Sequence, residues 1–80
     1  MALRALGQCL AKIGEFEKAE IAFQDALSAV PTFVDAKVDL AILYFETENV
    51  PGAKLLASDL LREAPENPRV KALHAHYGAL

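Results

Sequence analysis

Residues Gly14 to Pro31, GEFEKAEIAFQDALSAVP, decide how the rest of the chain is read. Phe16, Ala19, Phe23, Ala26, Leu27 and Pro31 return thirty-four residues later as Val50, Ala53, Ala57, Leu60, Leu61 and Pro65. In each copy the apolar positions fall three or four apart, which places them on one face of an α-helix. Each copy then closes on a proline, which cannot continue a helix. The pattern is that of a helix packed on one side, repeated as a unit.

The segments around this unit carry the same helical period. Ala2 to Ile13 sets Leu3, Leu6, Leu10 and Ile13 on one stripe, and Gly14 supplies the left-handed residue that closes a helix. The second helix is expected from about Glu15 to Val30, with Glu15 and Glu17 near its positive end. Thr32 to Asp35 has the spacing of a capping box, so a third helix is expected to start there and to carry Val34, Val38, Leu40, Ala41, Tyr44 and Phe45 toward Thr47. A fourth helix is expected from Pro51 to Ala64. Asn67 and Pro68 then read as the N-cap and first residue of a fifth helix, running through Arg69 to Ala79. No stretch alternates with period two long enough to be a strand. The expected fold class is all-α.

Composition narrows the function. The chain has 80 residues, 54% of them hydrophobic, and eleven acidic against eight basic residues give a net charge of -3. That balance, without a basic cluster, argues against nucleic acid as a partner. The single cysteine, Cys9, excludes an intramolecular disulfide and a cysteine-based zinc site; it reads as a small apolar filler beside the first stripe. His74 and His76 lie two apart, a spacing that points them in different directions on a helix, so no metal site is expected. His74 falls on the core side, in register with Leu6 and Leu40, which suits an end not built for deep burial. Tyr44 and Tyr77 read as packing residues. No nucleophile–base–orienter set and no glycine-rich phosphate loop is present, so neither catalysis nor a cofactor is expected. Arg4 and Lys12 interrupt the apolar run that a signal peptide needs, and no stretch approaches the ~20 apolar residues of a membrane span. The expectation is a soluble, cytoplasmic chain without membrane insertion, or one from another compartment if it is a fragment of a longer exported protein.

The thirty-four-residue period, together with its fixed positions, resembles the tetratricopeptide repeat (TPR) family. The first copy carries Leu6-Gly7, Leu10, Gly14, Phe16, Ala19, Phe23, Ala26-Leu27 and Pro31. The second carries Leu40-Ala41, Tyr44, Val50, Ala53, Ala57, Leu60-Leu61 and Pro65, and a third opens with Ala75. Small residues at Gly7, Ala19, Ala41 and Ala53 let helix axes approach, while Phe23 and Leu27 fill the space between hairpins. The sequence departs from the family at Glu48, which replaces the turn glycine, at Ala57, smaller than Phe23, and at Leu3 and Lys37, where tryptophan is frequent.

The resemblance implies two antiparallel helical hairpins plus a C-terminal capping helix in a right-handed α-α superhelix. Residues 1–80 then form a single domain, a fragment of a longer chain, with repeats at about 1–33 and 34–67 and with 68–80 as a cap or the start of a third repeat. It further implies a groove lined by the first helix of each pair. That groove takes Arg4, Gln8 and Lys12, then Asp35, Val38, Ile42, Phe45 and Glu46, then Arg69, Ala72 and His76. Val38, Ile42 and Phe45 are expected as its exposed apolar centre, flanked by the charges of Arg4, Lys12 and Arg69. The expected function is binding of a protein partner's peptide or helix in this groove, without chemistry. Two alternatives stand beside it: a structural or spacer segment that forms a homo-oligomer through apolar helix faces, with Leu73 of the last helix in the contact, and an accessory domain of a multidomain enzyme. A clamp for a terminal carboxylate, known in some chaperone-binding members, is matched by Arg4, Gln8 and Arg69. Asp39 takes the place of an amide there and Leu73 that of a cation, so the clamp is not expected.

Overall fold

The computed structural model describes residues 2–77. Five helices follow in order: α1 (Ala2–Lys12), α2 (Phe16–Ala29), α3 (Val34–Glu46), α4 (Val50–Glu63) and α5 (Pro68–His76). No strand occurs among the described residues. The part of the fifth helix expected over 78–80, Ala79 included, lies outside them. No helix is long and apolar enough to cross a membrane among the described residues.

The turns show why the chain folds back where it does. Gly14 closes α1 at φ 85°, and its amide donates to the Ala11 carbonyl. Glu48 occupies the equivalent place after α3 at φ 67°, a left-handed conformation that an L side chain adopts at a cost. Asn49 caps α4 by accepting from the Gly52 amide, with Pro51 in the first turn. Asn67 caps α5 by accepting from the Arg69 and Val70 amides, with Pro68 just inside, as the sequence led one to expect.

The capping box at Thr32 does not form. The Phe33 amide turns back to the Val30 carbonyl and leaves Thr32 outside the helix, so the N-cap of α3 falls on Phe33, whose side chain has no acceptor to cap with. Asp35, the acid of the supposed box, is instead paired with Arg69.

Two cores lie on either side of α3. The first joins Ala19, Phe23, Leu40 and Leu43, with Leu10, Ala11 and Leu27 packed against it. The second joins Val38, Ala41, Ala57, Leu60, Val70 and Leu73, and Leu56 touches both. Small residues permit these contacts. A Cβ at Gly7 would sit 2.5 Å from Phe23 Cε1, so the Phe23 ring fits only because position 7 lacks one. In the second repeat Ala41 and Ala57 share one core, so the bulk of Phe23 has no counterpart there.

The expected packing fails at several places, all instructive. Leu6 and Ile13 of the α1 stripe are 50% and 73% exposed, whereas Leu40, the repeat counterpart of Leu6, is buried against α2. No described helix stands before α1 to cover Leu6 as α2 covers Leu40. Cys9 is exposed for the same reason and is not a core filler; its counterpart Leu43 is buried. Leu73, expected at an oligomer contact, is instead 3% exposed in the second core. His74 is half-buried, and its Nε2 lies 3.0 Å from the Ala57 carbonyl oxygen, which accepts from the ring N–H.

Candidate binding face of α1, α3 and α5

Helices α1, α3 and α5 are neighbours, so residues at helical spacing on each meet along two seams. The α1–α3 seam opens into a cleft of about 320 Å³, lined by Gln8, Ala11 and Lys12 on one side and Asp39, Ile42 and Glu46 on the other, with Phe23 and Leu43 also contributing. The α3–α5 seam opens into a cleft of about 420 Å³, lined by Val38, Ile42, Arg69, Ala72, Leu73, His76 and Tyr77. Ile42 is common to both. A further cleft of about 410 Å³ follows the turn edge at Gly14, Glu15, Phe16, Glu17 and Thr47, away from these three helix faces.

Between the seams lies an ion-pair network centred on Asp39, only 8% exposed. Arg4 Nε donates to Asp39 Oδ2 at 2.6 Å, and Gln8 Nε2 donates to the same oxygen at 3.3 Å. Arg69 Nη2 donates to Asp39 Oδ1 at 2.8 Å, while its Nη1 donates to Asp35 Oδ1 at 3.3 Å. Burial lowers the Arg69 pKa, but the hydrogen bonds and charges of Asp39 and Asp35 outweigh it, so the guanidinium is held protonated even more firmly than usual. Two guanidinium groups thus face two carboxylates, and the net charge of the network is zero.

Tyr77 in the wall of the second seam is backed by an aromatic stack. Phe45 and Tyr77 lie with centroids 4.2 Å apart and planes inclined by 5°, and the His76 ring meets Tyr77 edge-on at 4.6 Å. Burial, then the nearby Glu46 charge, raise the Tyr77 phenol pKa, so it stays a neutral hydrogen-bonding group.

Arg4, Gln8 and Arg69 are therefore drawn together by the Asp39 carboxylate, and Asp35 joins them through Arg69. Ile42, Phe45, Lys12, Glu46 and His76 remain at least partly accessible around it. Val38 does not belong with them as exposed surface: it is 1% exposed and packs into the second core, contributing only to the floor of the larger cleft. Arg4 and Arg69 are not outer flanks either, because both turn inward to Asp39. The central place of Asp39 was missed by residue-type reasoning, although its position held the signal. Asp35, Asp39, Ile42 and Glu46 form a single i, i+4, i+7, i+11 stripe on α3.

Paired helices repeated along the chain, packed through small residues and exposing the first helix of each pair on one face, define an α-helical repeat protein. The sequence model of the tetratricopeptide repeat family matches residues 14–77, and the chain belongs to that family. No curated protein and no solved structure matches the chain. Tetratricopeptide repeats generally mediate protein–protein interaction, and the family is typically a non-enzymatic scaffold.

Proposed function

We propose that the face of α1, α3 and α5 binds a peptide or helix of a partner protein and performs no chemistry. The observation that carries this reading is the pair of clefts meeting at Ile42, a partly accessible aliphatic side chain between two openings that each combine apolar and polar lining. Small side chains at Ala11 and Ala72 leave room in each opening, and Tyr77, stacked on Phe45, contributes to one wall. Apolar anchors entering desolvated pockets are what usually dominate affinity at such surfaces. Residues Arg4, Gln8, Asp35 and Arg69 serve by holding the floor in shape, and Lys12, Glu46 and His76 form the rim.

The test is selection of peptides from a random display library on the whole chain, followed by titration of individual peptides by fluorescence polarisation. Ile42→Gln is expected to weaken binding at least about tenfold, the loss of roughly 1.4 kcal/mol or more typical of a central apolar contact, with an unchanged helical circular dichroism spectrum. Selected peptides that bind Ile42→Gln and Phe45→Ala as well as the wild type contradict the reading.

A second reading has its own support. Leu6 and Cys9 on α1, with Ile13 just after it, leave an exposed apolar strip, and the α3 counterparts of the first two, Leu40 and Leu43, are buried. Self-association through α1, in place of the last helix, is the form that an oligomeric role takes here. Sedimentation equilibrium of the wild type and Leu6→Glu tests it: a dimer abolished by the substitution supports it, and a monomer at every concentration rejects it.

A further inference from the structure

The concave arrangement of donors on the binding face presents a puzzle of charge. Arg4, Gln8 and Arg69 converge from two different helices, as donors do around an anionic ligand. The anion they surround belongs to the chain itself. Asp39 is 8% exposed and uses both carboxylate oxygens, one for Arg4 and Gln8 and the other for Arg69. Asp35 accepts from the other terminal nitrogen of Arg69, Nη1.

We infer that Asp39 is a built-in occupant of this basic centre, and that it selects partner segments anchored by uncharged apolar side chains over acidic segments. The inference rests on the reading of this face as a binding site. An incoming carboxylate that took over the Arg4 Nε and Arg69 Nη2 donors would displace Asp39 and leave a nearly buried charge unpaired, a strongly unfavourable exchange. Without displacement it would meet two carboxylates next to the two cations, so the centre offers it no net attraction. Apolar side chains entering the clefts on either side of Ile42 disturb none of these bonds. Among the described residues neither Lys12 nor Glu46 is held in an ion pair, so the rim of the first cleft offers one charge of each sign and favours neither an acidic nor a basic segment. Asp39 is thus a specificity-determining residue that acts by filling the site.

The experiment uses a fluorescein-labelled pentaglutamate peptide with a free carboxyl terminus, titrated by fluorescence polarisation at low salt. The wild type is expected to show no saturable binding. Asp39→Asn keeps the shape but removes the competing charge, and is expected to give saturable binding at peptide concentrations at least about tenfold below the highest at which the wild type shows none, the scale of one charge-assisted hydrogen bond. Adding Arg69→Ala to that variant is expected to abolish the gain. If Asp39→Asn does not fold, as judged by circular dichroism, Asp35→Asn releases one arm of Arg69 without altering the buried carboxylate and is expected to give a smaller gain in the same direction. Saturable binding of pentaglutamate by the wild type that is lost on Arg4→Ala or Arg69→Ala overturns the inference, as does a folded variant without any gain. Either result leaves the library-selected peptides and their dependence on Ile42 untouched, so the two readings fail separately.

Discussion

Arg69, at the start of α5, reaches across to Asp39 in the middle of α3 and donates to it over 2.8 Å, with the carboxylate almost fully buried. This contact does for the third helical layer what Arg4 does for the first, so one acid ties α1, α3 and α5 together. Arg69→Met keeps the aliphatic stem and removes the donors. It leaves Asp39 with Arg4 and Gln8 alone, and a loss of about 1.5–3 kcal/mol is expected from a hydrogen bond to a charged group. Urea denaturation measures it. Lys71→Ala, which removes an exposed pair with Glu66, is expected to change stability by about 0.5 kcal/mol or less. Equal effects of the two substitutions would show that the Asp39 network does not hold α5.

Position 7 tests the packing within the first hairpin. Alanine is a better helix former than glycine by about 1 kcal/mol, so propensity alone favours Gly7→Ala. The added methyl would lie 2.5 Å from the buried Phe23 ring, and overpacking of that kind costs roughly 1–3 kcal/mol. A lower melting temperature is the expected result. A rise would mean that Phe23 has room to move, and the close approach would lose its significance.

The two turns differ in a testable way. Gly14 and Glu48 both hold positive φ, but only glycine does so without steric cost. Glu48→Gly is expected to stabilise by about 0.5–1 kcal/mol, relief of left-handed strain being partly offset by the greater freedom of the unfolded chain. Gly14→Ala is expected to destabilise by about 1 kcal/mol through backbone strain alone, since nothing lies within 4 Å of the new methyl. Urea midpoints moving in the same direction for both variants would contradict the conformational argument.

Tyr44 gives the protein a signature in alkali. Its hydroxyl donates to Glu20 Oε2 at 2.6 Å. Burial, followed by the Glu20 hydrogen bond and charge, pushes its pKa up from 10.0 to about 12. The folded chain therefore keeps a proton that the unfolded chain releases near pH 10. The associated stability is complete below about pH 10 and is lost as the pH rises toward about 12. Comparing urea midpoints at about pH 9 and about pH 11 should show a smaller decline for Tyr44→Phe than for the wild type. The same decline in both would remove Tyr44 from the alkaline transition.

Much of this architecture was legible because helical repeats advertise themselves twice, once in period and once in punctuation. Pro31 and Pro65 mark the ends of hairpins, and Asn67-Pro68 marks a start. Thr32 misled because a capping pattern depends on where the preceding turn releases the chain, and the Phe33–Val30 hydrogen bond releases it one residue later. Leu6 and Leu40 are identical in type and register yet opposite in exposure, because burial depends on which helix stands alongside. Val38, expected as exposed groove surface, is buried, and so is Asp39, for a related reason. Two residues on neighbouring arcs of α3 cannot be assigned to core or groove by period alone, and it takes Arg4 and Arg69 on other helices to bury the acid.

The binding face is tested most directly by following backbone amide shifts in nitrogen-15 spectra while a library-selected peptide is added to the wild-type chain. The largest changes are expected at Ala11, Ile42, Leu43, Leu73 and Tyr77, along the two seams that meet at Ile42. Changes centred instead on Ile21 and Leu55, the most exposed large apolar residues of α2 and α4, would place the partner away from this face and contradict the proposed site.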